Sequence, residues 1–177
     1  LSWPCTMSSR RVRRWAVTAL KSASHDPQSR SIASLVRSVV VSGPGVSSAT
    51  PGISVIGAGS YASQVLLPAL KATPAVLRVL VSAGGVSGVH AGKKHGFAST
   101  ATEAARALED PQTSAVVIAT RHDSHAQYVV RAIEQRKHVF VDKPLAINRE
   151  QLATIMTSWQ AARQGGVEPL VMPGFNS

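Results

Sequence analysis

Five short apolar runs, separated by stretches with helical signals, constrain the fold of this chain more than any other feature. The runs are rich in Val and Ile and lie at Ile53–Gly57, Leu77–Ser82, Ala115–Thr120, His138–Asp142 and Pro169–Met172. Runs that are apolar at nearly every position are typical of a parallel sheet covered on both faces. Strands that alternate with helices through right-handed crossovers form a doubly wound sheet. The sequence therefore predicts a Rossmann-type α/β fold with three layers, α/β/α, and a short extra strand at Phe97–Ser99.

Capping residues predict where several helices begin and end. Thr100–Glu103 and Asn148–Gln151 both have the spacing of a capping box. The first box predicts a helix up to about residue 108, and the second predicts one that stops before Gly165–Gly166. Another helix is expected over Ser124–Gln135. Pro68 lies inside the first helix and is expected to bend or shorten it.

The first 50 residues differ from the rest of the chain in composition. They are rich in Ser and Arg and hold seven basic residues against one acid, Asp26, out of a net charge of +10 for the whole chain. The basicity thus belongs mainly to this segment and does not indicate a specific nucleic-acid-binding domain. We expect residues 1–51 to be a disordered or irregular basic leader and linker, followed by one domain over 52–177. A transit peptide within residues 7–40, or an arm that contacts phosphates or an anionic membrane, are the alternatives.

Cysteine and histidine usage limits the compartment and the metal chemistry. The single cysteine, Cys5, cannot form an internal disulfide, so a reducing, cytoplasmic location is expected. No apolar run approaches the ~18–20 residues that span a bilayer. His90, His95 and His138 show no metal-ligand spacing, so no metal site is predicted.

The turn after the first apolar run has the pattern of a dinucleotide-binding loop. Gly57, Gly59 and Ala62 form G-x-G-x-x-A directly after a predicted strand and at the start of a predicted helix. Gly57 permits the tight turn, Gly59 lets the backbone approach a pyrophosphate, and Ala62 keeps helix and strand close. The helix N-terminus offers N–H groups and a partial positive charge. Flavin and S-adenosylmethionine folds use related loops, and a turn with no ligand is the other alternative.

The end of the second predicted strand bears on the choice between NAD and NADP. An acid that binds the ribose is expected about 20 residues after the glycines. Ser82 stands there, followed by Ala83 and two glycines, with Lys93 and Lys94 downstream. The sequence therefore permits NADP and does not exclude NAD.

Three motifs together resemble the Gfo/Idh/MocA oxidoreductases. They read VIGAGSYA, VVIATRHDSHAQYVVRAIEQRKHVFVDKPLA and LVMPGFN, in that order, and the resemblance covers residues 53–176. The wording GAGSYASQVLLPAL and SAGGVSGVHAGKKHGF is most similar to the branch in which this module follows a zinc-type alcohol dehydrogenase module in one chain. No zinc-ligand set occurs in residues 1–50.

The resemblance implies roles for particular residues. Thr120 matches the strand-end threonine of a loop that approaches the nicotinamide. The family's T-P-N-x-x-H reads TRHDSH here, so Arg121 and His122 depart while His125 matches. The E-K-P signature matches Asp142–Pro144, in which Lys143 would contact the substrate oxygen beside the nicotinamide. We therefore predict Lys143 as catalytic, and cofactor contacts from Gly57, Gly59, Ser60, Tyr61, Ala62, Ser82, Thr120, His122, His125, Asp142 and Lys143.

The family resemblance also implies a second, substrate-binding domain, which is absent from this sequence. The first interpretation is the NAD(P)-binding half of an oxidoreductase that transfers hydride on a sugar-like or polyhydroxylated substrate once a second domain or polypeptide completes it. The second is a binding-only NAD(P) module. The third is a gene fragment without function.

Overall fold

Seven strands form one sheet in the computed structural model, which describes residues 38–40 and 50–174. Their bounds are β1 Ser38–Val40, β2 Gly52–Ile56, β3 Val76–Val81, β4 Ser99–Ala101, β5 Thr113–Ile118, β6 His138–Val141 and β7 Val171–Pro173. The strand order is β1-β4-β3-β2-β5-β6-β7. Strands β2 to β7 pair in parallel, and only β1 pairs in antiparallel fashion, with β4. The order reverses between β2 and β5, the place where doubly wound sheets bind ligands.

Within residues 50–174, five α-helices and one π-helical segment connect the strands. They are the π-helical segment Ala62–Leu66 that runs into α1 Leu67–Lys71, then α2 Gly85–His95, α3 Ala105–Leu108, α4 His122–Glu134 and α5 Arg149–Gln164. None of the helices within residues 50–174 is both long enough and apolar enough to cross a bilayer.

The sheet separates two apolar cores because successive strand residues point to opposite faces. In β5, Ala115 and Val117 face one core, and Val116 and Ile118 face the other. The first core packs against the π-helical segment, α1 and α2, and the second packs against α3, α4 and α5. These three layers confirm the predicted Rossmann-type α/β/α fold.

One element before residue 50 is described. Residues 38–40, for which no strand was predicted, form β1 at the edge of the sheet and pair with β4. Three residues are too few to show a strand period in the sequence. Residues 1–37 and 41–49, which include most of the segment considered as a transit peptide, lie outside the described residues, as do residues 175–177. The division of the chain near residue 51 stays a prediction, and β2 begins at Gly52.

The helix predictions had mixed outcomes. The Thr100–Glu103 capping box is wrong, because Thr100 is buried in β4 opposite Leu80 and the helix begins only at Ala105. At the second box the Gln151 N–H donates to Asn148 Oδ1 at 2.8 Å, which confirms the N-cap. In a complete capping box the Gln151 side chain would accept the N–H of Asn148. Here it accepts the N–H of Ile147 instead, at 3.0 Å.

Pro68 interrupts the first helix as expected, in a particular way. Proline has no N–H, so it cannot donate to the carbonyl four residues before it. The helix widens over Ala62–Leu66, where the N–H of Leu67 donates to the carbonyl of Ala62 five residues earlier, and Pro68 then lies in the first turn of α1. Such π segments are common near functional sites.

Candidate functional site

Loops that follow four neighbouring strands meet at one edge of the sheet, which we call the carboxyl edge. Backbone hydrogen bonds extend the sheet pairing past the strand ends. The acceptors are backbone carbonyl oxygens of the neighbouring strand. The N–H of Gly57 donates to Val81 and that of Ser82 to Ala101, both at 2.9 Å. The N–H of Ala119 donates to Ile56 and that of Asp142 to Ile118, both at 2.8 Å. The residues predicted to bind the cofactor all follow these strand ends, so the fold brings them to the same edge.

Gly57 turns the chain where only glycine fits. Its φ of 105° is unfavourable for residues with a side chain. A Cβ at this position would also collide with the backbone carbonyl of Ala119, which belongs to the neighbouring loop after β5. The tight turn after β2 and the close approach of the β5 loop therefore depend on this glycine.

Gly59 faces open space at the carboxyl edge. A Cβ built on it meets no atom within 4 Å, and the residue is exposed. Ala62, three residues later, is buried in the first core. The turn therefore packs tightly on its inner side and leaves its outer side accessible to a ligand.

The helix that follows presents its first N–H groups to this open space. Ser60 and Tyr61 begin the helical stretch, and the N–H of Ser63 donates to Gly59 at 2.9 Å. N–H groups before that bond have no acceptor inside the helix and favour anions. The Ser63 hydroxyl also donates to Ala58 at 3.1 Å and holds the turn against the helix.

No acidic residue lies close to Ser82 in the sequence. Ser82 is half-buried, and the hydroxyl of Ser87 donates to the Gly84 carbonyl at 3.0 Å at the start of α2. No Asp or Glu occurs between Asp26 and Glu103. The two lysines noted downstream, Lys93 and Lys94, lie in the last turn of α2, about 12 Å along the helix from its start.

Thr120 and Ser124 fix the loop after β5. Their hydroxyls are 2.7 Å apart, and Ser124 Oγ donates to the carbonyl of Arg121 at 2.8 Å. Helix α4 begins at His122, two residues earlier than predicted, and the side chains of His122 and Asp123 are exposed. Ser124 was missed as a site residue, although its spacing of four from Thr120 was a usable signal.

His125 lies beneath this loop. Its ring is fully buried, with Nδ1 2.7 Å from the carbonyl oxygen of Pro144 and Nε2 3.0 Å from that of Thr120. The ring of His122 approaches it edge-on, with centroids 5.6 Å apart. Any effect of His125 on a bound cofactor would therefore pass through the two loops that it touches.

Asp142 and Lys143 follow β6. Asp142 Oδ1 accepts the N–H of Lys143 at 2.9 Å, and the Lys143 side chain is exposed. The peptide bond between Lys143 and Pro144 is cis. Gly174, just after β7, donates its N–H to Val141 at 2.6 Å, and a Cβ there would lie 3.4 Å from Asp142 Oδ1. Gly174 belongs to the LVMPGFN motif, to which the sequence assigned no individual role.

Three groups outside the carboxyl edge have shifted pKa values. Burial lowers the pKa of His138 and of Lys137 at the start of β6, and the charge of Asp110 partly opposes the shift at Lys137. Burial, and then Lys94 and Lys71, lower the pKa of His95. Residues 50–174 contain no group of three side chains placed to hold a metal ion. An open groove of about 660 Å³ between α4 and α5 includes none of the predicted site residues.

The fold and the glycine turn agree with what the chain is similar to. The protein-family model for Gfo/Idh/MocA, described as an oxidoreductase family with an NAD-binding Rossmann fold, matches residues 52–172. The chain belongs to this family. The match confirms the predicted cofactor class, a nicotinamide dinucleotide, and the residues at the carboxyl edge fit such a ligand because the cradle beside Gly59 is open.

Individual relatives match over part of their length. The 1,5-anhydro-D-fructose reductase of Ensifer adhaerens is 28% identical over 113 residues, which cover 64% of this chain and 33% of the relative. A 3-ketoreductase of Actinomadura kijaniata, solved with TDP-benzene and NADP, superposes with a TM-score of 0.60 at 25% identity, over 69% of this chain and 38% of that chain. A protein of gentamicin A biosynthesis, solved with NAD, superposes with a TM-score of 0.61 at 26% identity. The superposition covers 71% of this chain and 34% of that chain. The matched part thus spans about a third of these relatives.

Proposed function

We propose that this chain holds NADP or NAD for hydride transfer on a sugar-like or polyhydroxylated substrate, with the substrate oxygen beside Lys143. The observation that carries the proposal is the convergence of the glycine turn, the Thr120 loop and the Lys143 loop at the carboxyl edge, where the strand order reverses. The relatives named above supply the substrate class, since their names refer to a sugar derivative or a ketone.

The glycine turn would bind the diphosphate. Gly59 leaves room for the ligand to approach the backbone, and the N–H groups of Ser60, Tyr61 and Ala62 lie at the helix start. No acidic residue lies in the first turn of this helix to repel an anion. Backbone donors and the helix dipole would therefore act together on the phosphates.

Lys143 would act on the reacting oxygen. The bound dinucleotide supplies the hydride donor or acceptor. An ammonium group held beside a carbonyl stabilises the negative charge that grows on its oxygen as the carbon is reduced. Asp142 accepts the Lys143 N–H and so restrains the backbone from which this side chain extends. Thr120, at the neighbouring strand end, would border the nicotinamide.

The residues at the ribose end of the site do not select between NAD and NADP. A carboxylate there would bind the 2′-hydroxyl of NAD and repel the 2′-phosphate of NADP. Ser82 offers a hydroxyl in place of that carboxylate, so a 2′-phosphate would meet no acid at this position. We propose that both cofactors bind, each at the same glycine turn.

Three finer points belong to the same proposal. A second domain or polypeptide would complete the substrate pocket, since relatives are about three times as long as the matched part. The chain would fall in the branch fused to a zinc-type alcohol dehydrogenase module, on the wording of residues 57–70 and 82–97. A cytoplasmic location rests on the single cysteine. Sequencing the genomic region on both sides of this reading frame would test the first two.

A nucleotide titration tests the proposal directly. Saturable quenching or enhancement of NADPH and NADH fluorescence is expected with the unaltered chain. Gly59→Val should lower the affinity at least about tenfold, ~1.4 kcal/mol, because its side chain would enter the space assigned to the diphosphate. Gly165→Val, at the exposed end of α5, is the matched control and should leave the affinity unchanged.

The same titration separates the alternatives. Lys143→Ala should retain cofactor affinity within about threefold, and should abolish any NAD(P)H-dependent turnover of ketoses and oxo-polyols that the unaltered chain supports. Retained turnover in Lys143→Ala would remove its catalytic role. Binding without turnover in any preparation would favour the binding-only module, and no saturable binding would contradict the whole proposal.

A further inference from the structure

His125 connects the two loops that carry Thr120 and Lys143. Its imidazole ring is fully buried at the start of α4. One ring nitrogen lies 2.7 Å from the carbonyl oxygen of Pro144, next to Lys143, and the other lies 3.0 Å from that of Thr120. The loops belong to different strands, and a single side chain thus spans both.

Counting donors shows what the two contacts require. A carbonyl oxygen only accepts hydrogen bonds, so each contact needs an N–H on the ring. A neutral imidazole has one N–H and one lone pair, and only the imidazolium has two N–H groups. The neutral ring can therefore bond one loop while its lone pair faces the other carbonyl, and the protonated ring can bond both.

We propose that His125 is a positioning residue whose protonation fastens the Lys143 loop to the Thr120 loop. The significance for hydride transfer rests on the proposed role of Lys143, whereas the connection itself does not. In the protonated ring the Pro144 carbonyl and the Thr120 carbonyl are both held, and Lys143 extends from a fixed backbone. In the neutral ring one of these contacts is lost, and the two loops can move independently.

Several charged or titratable residues lie close to His125 in the sequence or in the loop that it contacts, and they enter the design of the test. On its own helix and at the start of that helix they are Arg121, His122, Asp123 and Tyr128, and in the loop across from it they are Asp142 and Lys143. His122 is the one other histidine among them, and histidine is the side-chain type whose charge commonly changes between pH 5 and 8. A titration that belongs to His122 must therefore be separated from one that belongs to His125.

The test follows Lys143 directly and needs neither cofactor nor turnover. Lysines are converted to ¹³C-dimethyl-lysine, the Lys143 signal is assigned with Lys143→Arg, and its shift is recorded by NMR from about pH 5 to 8. The ring nitrogens of His125 are followed in parallel by ¹H–¹⁵N spectra. We expect one step in the Lys143 signal, with the same midpoint at which His125 gains its second N–H.

Three variants identify the group responsible. His125→Gln should remove the step, because an amide of similar length does not titrate and cannot reach both carbonyls from one nitrogen. His90→Gln, on the exposed side of α2, should keep it. A step that persists in His125→Gln, or disappears in His122→Gln, overturns the proposal.

The unaltered chain keeps the proposal testable if His125→Gln unfolds. Thermal unfolding of each variant reveals such a loss. In that case the agreement of the two midpoints in the unaltered chain decides, and a Lys143 signal that stays constant while His125 titrates overturns the proposal. A failed nucleotide titration alone would contradict the proposed function and leave this connection standing, so the two failures are distinguishable.

Discussion

The two edges of the parallel sheet use polar residues in different ways. At the opposite edge, where β3, β5 and β6 begin, side chains bond to one another in what we call the amino-edge network. Asp110 Oδ2 accepts hydrogen bonds from Arg78 at 3.2 Å and from the Thr113 hydroxyl at 2.9 Å. The Thr113 hydroxyl also lies 2.6 Å from Ser54 Oγ. Lys137 donates to the backbone carbonyl of Asp110 at 3.0 Å. These groups are buried or half-buried, so the network closes this edge.

At the carboxyl edge, apart from the contact between the Thr120 and Ser124 hydroxyls, the polar side chains bond mainly to the backbone. Ser63 donates to Ala58, Ser124 donates to Arg121, and Asp142 accepts from the N–H of Lys143. The loops are thereby fixed, while Gly59 and Lys143 remain exposed. The amino-edge network therefore contributes mainly to stability, and the loops of the carboxyl edge provide the surface for a ligand. Substitutions at the two edges should therefore change different measured quantities.

The largest effect is expected at Gly57, which contributes both to stability and to the loop proposed to bind the cofactor. In Gly57→Ala the added Cβ would meet the Ala119 carbonyl, at a φ of 105° that alanine rarely adopts. Backbone strain alone costs about 1–3 kcal/mol, and the collision adds to it. We expect the free energy of unfolding to fall by about 3 kcal/mol or more, measured by urea denaturation, together with a loss of NADPH binding.

Gly59→Ala is the matched control for this prediction. It adds the same methyl group two residues away, where nothing lies within 4 Å. Its free energy of unfolding should stay within about 0.5 kcal/mol of the unaltered chain, as for other uncrowded surface positions. Equal destabilisation by the two variants would show that the inner and outer sides of the turn do not differ as described.

A smaller effect is expected in the amino-edge network. Asp110→Ala removes the acceptor of Arg78 and Thr113, whose side chains are largely shielded from water. Leaving buried donors without acceptors costs about 1–3 kcal/mol, so we expect a loss of about 2 kcal/mol in urea denaturation. NADPH affinity should remain within about twofold, because no residue of the carboxyl edge takes part.

The exposed ion pair between Arg163 and Glu168 supplies the comparison. Its atoms are also 3.2 Å apart, but 51% and 68% of the two side chains are exposed, against 23% and 12% for Arg78 and Asp110. Exposed pairs contribute about 0.2–1 kcal/mol, so Glu168→Ala should have little effect. If Asp110→Ala weakened cofactor binding as strongly as stability, the separation of the two edges would be wrong.

The carboxyl edge was more predictable from the sequence than the helices were. Buried Val and Ile runs fixed the strands, and the ends of parallel strands share one edge, so the positions of Gly57, Thr120 and Lys143 followed. The contacts of the His125 ring could not be predicted from the position of His125 in its motif, because they depend on where the loop after β6 places the Pro144 carbonyl.

Helix α2 was missed because its sequence contains three glycines, which weaken helix signals. The structure shows why two of them are there. A Cβ at Gly92 would collide with the Thr100 side chain, and one at Gly88 would lie 2.9 Å from Ser82 Cβ. These glycines let α2 approach the sheet closely, a tertiary requirement that overrides local propensity. The wrong box at Thr100 has the same origin, since pairing with β3 holds that residue in a strand.

The smallest predicted effect concerns pH and His138, at the start of β6. The ring is buried, and Nδ1 accepts the N–H of Leu170 at 3.1 Å, which ties β6 to the segment before β7. Burial lowers the pKa of His138 in the folded chain, so the unfolded chain binds its proton first as the pH falls. Stability is therefore complete above the usual histidine pKa of about 6.5 and declines below it until the folded ring is also protonated.

His138→Asn should make this decline shallower, because Asn Oδ1 keeps an acceptor near the position of Nδ1 and does not titrate. The change in free energy between pH 7 and 5 should be of the order of 1 kcal/mol or less, followed by thermal unfolding across that range. Some decline should remain, since burial also lowers the pKa of His95. His90→Asn, at an exposed ring, should leave the curve unchanged. A curve for His138→Asn as steep as that of the unaltered chain would mean that His138 is not among the groups that make the amino edge sensitive to acid.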